Sequence, residues 1–501
     1  MRTRRIAIGL VFVVMLIVLA VVFLPGLRAP KQVLTQSSLP THGWQTSTPE
    51  EQGFDSAKLA ESLQDLRQKP IRIDSLLIIR NGYVVLDAYF YPYEASFPHN
   101  LESVTKSITT ALVAIAAEQG KLQLDQPMVS YFPNRTIANL DDRKKSITVR
   151  HLAGMVNGMS SGCLAGDVPT LEAFRTTADW VQTALDREMI SEPGKVFCYD
   201  SPGMHLLSAI LQETTGMTEL EFARQYLFEP LGIQDVYWES DPQGYTHGWA
   251  DLWLKPLDAA KIGYLFLNHG VWEGKQIVPS AWVTEAVKMQ STTGTNDDYG
   301  YGWWVADGSY FAQGHFGQYI RVYPAEKVVV VITARGFDYK TIEPVLDAAY
   351  VSPDKPLPAN PQGMAELSAL LSEIPQGKGA EPVVSSPALA REVSGKTYDC
   401  EPNGVDVTRV RIEFNDPAEA KLYLSKKDGT DVIWPIGLDG KYRMCSEWKG
   451  LRGYWQDAQT FTIQFFYNLG PLNRQLQFKE NQMVVSLPDM GVKFTCHVQN
   501  P

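Results

Sequence analysis

Ser103-Val104-Thr105-Lys106 opens a segment whose apolar residues Ile108, Leu112 and Ile115 recur at spacings of four and three, the signature of one helical face. Ser103 and Lys106, three apart, fall on the same side of that helix. A hydroxyl so placed has an amine as its neighbour, and an amine that packing strips of water can accept the hydroxyl proton. The same two residue types at the same spacing occur at Ser352 to Lys355, between prolines, and at Ser446 to Lys449, before Gly450. Neither of those begins a helix, so context selects Ser103. Taken alone, a capping serine with a solvated lysine one turn later accounts for the segment equally well.

Working outward, Asp55 to Gln68 places Leu59, Leu63 and Leu66 on one helical face, and Ser75 to Arg80, Asn81-Gly82 and Tyr83 to Tyr91 read as a hairpin with a type I′ turn. Helical signals dominate from Leu101 to about Asn268: Gly120 and Gly216 as stops, Ser201-Pro202 as N-cap and first helical residue, Thr218 with Glu221 as a capping box. Strand patterns return at Tyr319 to Tyr323 and Val328 to Thr333, flanking the turn Pro324 to Lys327, and Ile342 to Tyr350 reads as a closing helix. Strands at both ends with helices between them predict an α+β unit over residues 45–350, one antiparallel sheet with a helical insertion. Residues 351–390 carry seven prolines around the short amphipathic stretch Met364 to Ile374 and read as a linker. Thr408 to Phe414, Lys421 to Ser425, Phe461 to Tyr467, Gln475 to Phe478 and Met483 to Leu487 alternate with period two, so residues 391–501 are expected to form a small all-β barrel.

The 501 residues carry a formal charge of −11 and no long basic block, which removes the counterion-release attraction of a nucleic-acid binder. At the other end of the chain, Ile6 to Leu24 is an unbroken apolar run of 19 residues. As a helix of about 1.5 Å rise per residue it matches the ~30 Å hydrocarbon core of a bilayer. Arg2, Arg4 and Arg5 before it favour a cytoplasmic N-terminus. Residues 1–28 are therefore expected to be a cytoplasmic tip and transmembrane anchor in the inner membrane, residues 29–44 a linker, and the body to face the periplasm or exterior; the alternative is a cleaved signal peptide. The five cysteines show no C-x-x-C spacing, so neither zinc nor any other cofactor is expected. In a closed barrel the first and last strands become neighbours, which favours a Cys400–Cys496 bridge and leaves Cys445 free.

Two further motifs complete the pattern: Tyr199-Asp200-Ser201 just before a helix, and Gly314-His315-Phe316-Gly317 just before the strand Gln318 to Tyr323. With Ser103-x-x-Lys106 they resemble, in order and spacing, the active-site motifs of the penicillin-recognising serine hydrolases, which include class C β-lactamases, D,D-carboxypeptidases, D-aminopeptidases and esterases. Ile147 to Leu152 and Tyr299-Gly300-Tyr301-Gly302-Trp303 are similar as well, and residues 391–501 look like the β-barrel appendage that some members carry. The resemblance implies a β-lactamase-like or penicillin-binding-protein-like fold with Ser103 as acylating nucleophile, Lys106 and Tyr199 sharing the proton traffic, and Ser201, His315 and Gly317 lining the substrate. It also implies an oxyanion hole from the backbone N–H groups of Ser103 and Gln318, and a Cys163–Cys198 bridge beside the site. The third motif begins with His315 where β-lactamases and carboxypeptidases usually have lysine, which points away from β-lactams and toward a small amide, peptide or ester substrate. Two other readings are weighed against this one: a nucleophile elbow on Ser160, from Gly158-Met159-Ser160-Ser161-Gly162, and a membrane-tethered sensor that acylates without turnover.

Overall fold

The computed structural model describes residues 40–68, 72–160, 168–336, 338–352, 355–377, 387–446, 449–467, 470–488 and 491–499. The apolar run Ile6 to Leu24 and Cys163 lie outside these residues, as does the Cys445 side chain. Among the described residues no helix is long and apolar enough to cross a membrane.

Two sets of strands far apart in sequence make the main sheet. Strands β1 (Ile73–Arg80) and β2 (Tyr83–Tyr89) form the first hairpin. Asn81 and Gly82 turn between them with φ of 51° and 84°, the left-handed pair that a type I′ turn requires. Strands β3 (Ser309–Gly314), β4 (Gln318–Tyr323) and β5 (Val328–Ala334) form an antiparallel meander. Its last strand pairs with β1, Ile78 opposite Val330, so the order is β2-β1-β5-β4-β3 with short strands at both edges.

Every residue of β1 and β5 is buried, because helices cover both faces. Leu77, Ile79, Val329 and Val331 enter the larger core, with helices α2 (Thr105–Glu118), α3 (Ser201–Thr215) and α4 (Pro256–Leu267) of the insertion. Leu76, Ile78, Val330 and Ile332 enter a second core with α1 (Ser56–Gln68), α5 (Glu343–Ala349) and α6 (Pro361–Glu373). Helix α6 contains the amphipathic stretch of the Pro-rich segment, and its Leu367 and Leu370 are buried in that core.

Helix α2 is buried from Thr105 to Ala116 without a solvent face. Its polar side chains must therefore find partners inside. Thr109 Oγ1 donates to the Gly248 carbonyl at 2.8 Å, Thr110 Oγ1 to the Tyr301 carbonyl at 3.0 Å, and Ser107 Oγ to the Gly302 carbonyl. Gly302 has φ 78°, and a Cβ there would come within 2.6 Å of Thr110 Oγ1, so the Tyr301-Gly302 segment can lie against this helix only with glycine at 302.

Ten strands between Thr397 and Val498 form the second sheet, each antiparallel to its neighbours. The first (Thr397–Cys400) pairs with the last (Val492–Val498), and Cys400, opposite Cys496, is disulfide-bonded to it. A parallel contact between Gly437 and Arg452 completes the barrel. Five of the ten strands are those expected from alternation. Asp431–Gly437 escapes that reading because Pro435 interrupts it, and Lys449–Trp455 because Gly450 and Gly453 suggest turns. Gly453 is instead a packing position, where a Cβ would lie 2.4 Å from Phe461 Cζ. The barrel docks on the first domain through Tyr93 against Phe466, ring centroids 4.4 Å apart, and through Tyr442 N donating to Tyr91 Oη at 2.6 Å.

Candidate active site

Ser103 lies in a short 3₁₀ turn, Glu102–Val104, that runs directly into α2. Lys106 stands one turn on, only 1% exposed. Its Nζ donates to Ser103 Oγ at 2.9 Å and to the Trp249 carbonyl at 2.9 Å. The Tyr199 ring closes the other side, with Nζ 4.7 Å from its centroid. Tyr199 is itself stacked on Trp304 at 5.9 Å. Three of the expected residues, from two separate elements, thus converge on one amine.

The second motif is anchored by its middle residue. Asp200 is 1% exposed and receives Arg187 through two hydrogen bonds, 2.6 Å and 3.0 Å, and Asn157 Nδ2 through a third at 2.7 Å. That ion pair fixes the loop from which Tyr199 projects. Ser201, expected as the N-cap of α3, is its first helical residue, and the N-cap is Asp200, which makes no capping bond because its carboxylate is committed to Arg187 and Asn157. Ser201 is buried in the first turn. Cys198 is disulfide-bonded, while Cys163, the expected partner, lies outside the described residues.

The third motif meets Ser103 from the sheet. A Cβ on Gly314 would lie 2.3 Å from the Leu101 carbonyl, so the end of β3 rests directly on the turn that carries Ser103. Phe316 and Gly317 have φ of 62° and 97°, which returns the chain into β4 at Gln318. The Gln318 side chain is buried and locked to Ala334, Nε2 donating to the carbonyl at 2.6 Å and Oε1 accepting from the N–H at 3.3 Å. That lock orients the first residue of the strand. His315 is exposed, its ring 3.9 Å from that of Phe316.

Behind the nucleophile turn runs a network that the motifs do not reveal. Glu102 has φ 50°. Its N–H donates to Asn100 Oδ1 at 2.8 Å, Asn100 Nδ2 to Asp251 Oδ1 at 3.1 Å, and Arg175 and His247 bind Asp251 Oδ2 at 3.0 Å and 2.9 Å. Burial, reinforced by the Asp251 charge, pushes the Glu102 carboxyl up to about 7, so it exchanges a proton near neutrality beside Ser103. Glu239, His247 and Asp251 bring three metal-ligand atoms within 4.8 Å of one another. Asp251 there already carries the Arg175 cation. Arg175, Arg187 and Asp251 lie outside the motifs, and no periodicity marks them.

Ser160 lacks the setting of a nucleophile elbow. Only an isolated bridge at Met159 precedes it, where that motif needs a strand, and Ser161 and Gly162 lie outside the described residues.

Replacing Arg187 by Met leaves the buried Asp200 carboxylate without its cation and is expected to destabilise the domain by about 3 to 5 kcal/mol. Arg187→Met with Asp200→Asn should recover much of that loss, because the orphaned charge is gone. Urea denaturation midpoints of the two variants test the coupling, and equal midpoints would contradict it.

A Beta-lactamase family profile matches residues 59–350. An uncharacterized protein of Alkalihalophilus pseudofirmus is 25% identical over 309 residues, covering 52% of this chain and 84% of its own. The 6-aminohexanoate-dimer hydrolase of Paenarthrobacter ureafaciens is 24% identical over 283 residues, 53% of this chain and 70% of its own. Among solved structures, a putative 6-aminohexanoate-dimer hydrolase from Bacillus anthracis aligns over 66% of this chain and 89% of its own, with a TM-score of 0.51 and 20% identity, a likeness of fold. The profile spans more than half of the chain and contains all three motifs, and the chain accordingly belongs to the beta-lactamase family of serine hydrolases.

Proposed function

We propose that the protein is a membrane-anchored, exported hydrolase that cleaves an amide, peptide or ester bond through an acyl-enzyme on Ser103. The observation that carries this reading is the 2.9 Å contact between Lys106 Nζ and Ser103 Oγ at an amine buried to 1% exposure. Ser103 Oγ forms the bond to the substrate carbonyl carbon as its proton passes to Lys106, with Tyr199 beside the same amine. The N–H groups of Ser103 and Gln318 receive the oxyanion, and the leaving amine or alcohol departs with the proton. Water then attacks the ester, and Ser103 recovers its hydrogen. Ser201, His315 and Gly317 border the substrate. An exposed imidazole in place of a lysine gives weaker purchase on a carboxylate, so neutral amides and esters are preferred over β-lactams. The relative named for hydrolysing the 6-aminohexanoate dimer supports an amide substrate.

Ser103→Ala should abolish turnover, and Lys106→Ala and Tyr199→Phe should each lower kcat/KM by more than ~100-fold, since general acid–base catalysis is typically worth 10² to 10⁴. The double variant should lose little more than either single one, because the groups act as a unit. Hydrolysis of p-nitrophenyl esters and D-aminoacyl p-nitroanilides provides the rates. Acylation without deacylation would favour the sensor reading instead.

The anchor reading rests on Ile6 to Leu24, and the Cys400–Cys496 disulfide supports an oxidising compartment. The mature protein is expected to keep Met1 to Leu24 and to leave the membrane fraction only in detergent. Intact mass of the exported form checks this, and a soluble species starting after Leu24 would contradict it.

A further inference from the structure

Phe466, in the barrel strand Thr460–Tyr467, is 2% exposed and packs across the domain boundary with Tyr93 and Phe97, Tyr442 of the barrel beside it. Two arms of the first domain start from this ring, and both lead to backbone around Ser103.

The first arm runs through Arg335. Its guanidinium lies 5.4 Å from the Phe466 ring centroid and 5.1 Å from that of Tyr93, while its Nε faces the buried Asp74 Oδ1 at 3.5 Å. A planar cation that meets two rings and a carboxylate has little freedom left. The backbone here needs such fixing. Past Thr333 the register of β5 against β1 shifts, and beyond the strand end the Arg335 N–H donates to the Arg72 carbonyl at 2.7 Å. The neighbours of Arg335 on either side hold the third motif: Ala334 locks the Gln318 side chain, and the Gly336 N–H donates to the Phe316 carbonyl at 2.7 Å.

The second arm runs through Tyr93, whose ring centroid lies 4.4 Å from that of Phe466 and 4.7 Å from that of His99. His99 is 2% exposed and precedes Asn100, whose Oδ1 accepts the Glu102 N–H at 2.8 Å and so shapes the turn that carries Ser103. His99, Asn100 and Glu102 of this arm and Phe316, Gln318 and Ala334 of the other line a void of only about 10 Å³. At most one water fits such a space, so a shift in one arm is felt in the other.

We infer that Phe466 is a positioning residue for the oxyanion hole: through Arg335 it sets the backbone at Gln318, and through Tyr93 and His99 it sets the turn at Ser103. The barrel is thereby part of the hydrolytic machinery. This rests on the acyl-enzyme reading and goes beyond it by giving the second domain a role in the transition state.

The test measures p-nitrophenyl ester hydrolysis by the full chain, with kcat expressed per active site titrated to completion by a fluorophosphonate, so that unfolded molecules are not counted. Phe466→Ala should lower kcat by about 10- to 100-fold with KM held within about twofold, because a displaced donor is missed more in the transition state than in the ground state. Phenylboronic acid, whose boron takes an electron pair from Ser103 Oγ as the proton passes to Lys106, mimics the tetrahedral state, and its Ki should rise in proportion to the loss in kcat/KM. Arg335→Lys keeps a cation beside Asp74 but loses the planar group, and should show the same signature; the double variant should lose less than the product of the two. Phe478→Leu loosens the barrel core away from the boundary and should leave kcat unchanged. Wild-type kcat in Phe466→Ala and Arg335→Lys, a loss confined to KM with boronate affinity intact, or an equal loss in Phe478→Leu would overturn the inference. Full activity in Ser103→Ala would instead fell the acyl-enzyme reading, so the two failures are told apart.

Discussion

An amine held away from water is the constraint on which the rest of this fold depends. Lys106 sits on a helix with no solvent face, and its Nζ has one route to a reactive partner, Ser103 Oγ, and one to a structural partner, the Trp249 carbonyl. Burying such a group is costly unless its hydrogen bonds are met, so the loops around α2 have to be placed accurately. The hydroxyls of Ser107, Thr109 and Thr110 do this by seizing carbonyls of the Gly248 and Tyr301–Gly302 segments. Those segments in turn carry Trp249 beside the amine and Trp304 beside Tyr199. The sheet supplies the last wall, because the end of β3 rests on the turn at Leu101.

Much of this was legible in the sequence for a local reason. Ser103 and Lys106 meet within one helical turn, and Asn81-Gly82 sets its hairpin by its own φ preferences. The support for the site was not legible, because it depends on contacts between segments with no periodic relation. Arg187 reaches Asp200 across a loop, and Asp251 reaches the Glu102 turn through Asn100. The same cause explains the shifted helix start at Ser201: local preference favours serine as a cap, but Arg187 claims the residue before it and fixes where the helix begins. In the barrel, alternation revealed only stretches free of proline and glycine. Lys449–Trp455 needs Gly453 to admit the Phe461 ring, a demand that comes from the neighbouring strand.

The two domains solve the packing problem in opposite ways. The first has a sheet with both faces covered. The second closes one sheet on itself, staples its first strand to its last through Cys400 and Cys496, and leaves one end apolar and open. Contacts of Tyr93 and Arg335 with Phe466 join them, so the open barrel is carried by the same scaffold as the hydrolytic site.

The central claim is that Ser103, activated by its buried neighbour, is the acylating residue. Labelling the native chain with a fluorophosphonate and locating the adduct by peptide mass spectrometry tests it most directly. The label should fall on the peptide containing Ser103 and be lost in Lys106→Ala, whose nucleophile lacks its proton acceptor. A label on Ser160, or equal labelling of Ser103 with and without Lys106, would contradict the account.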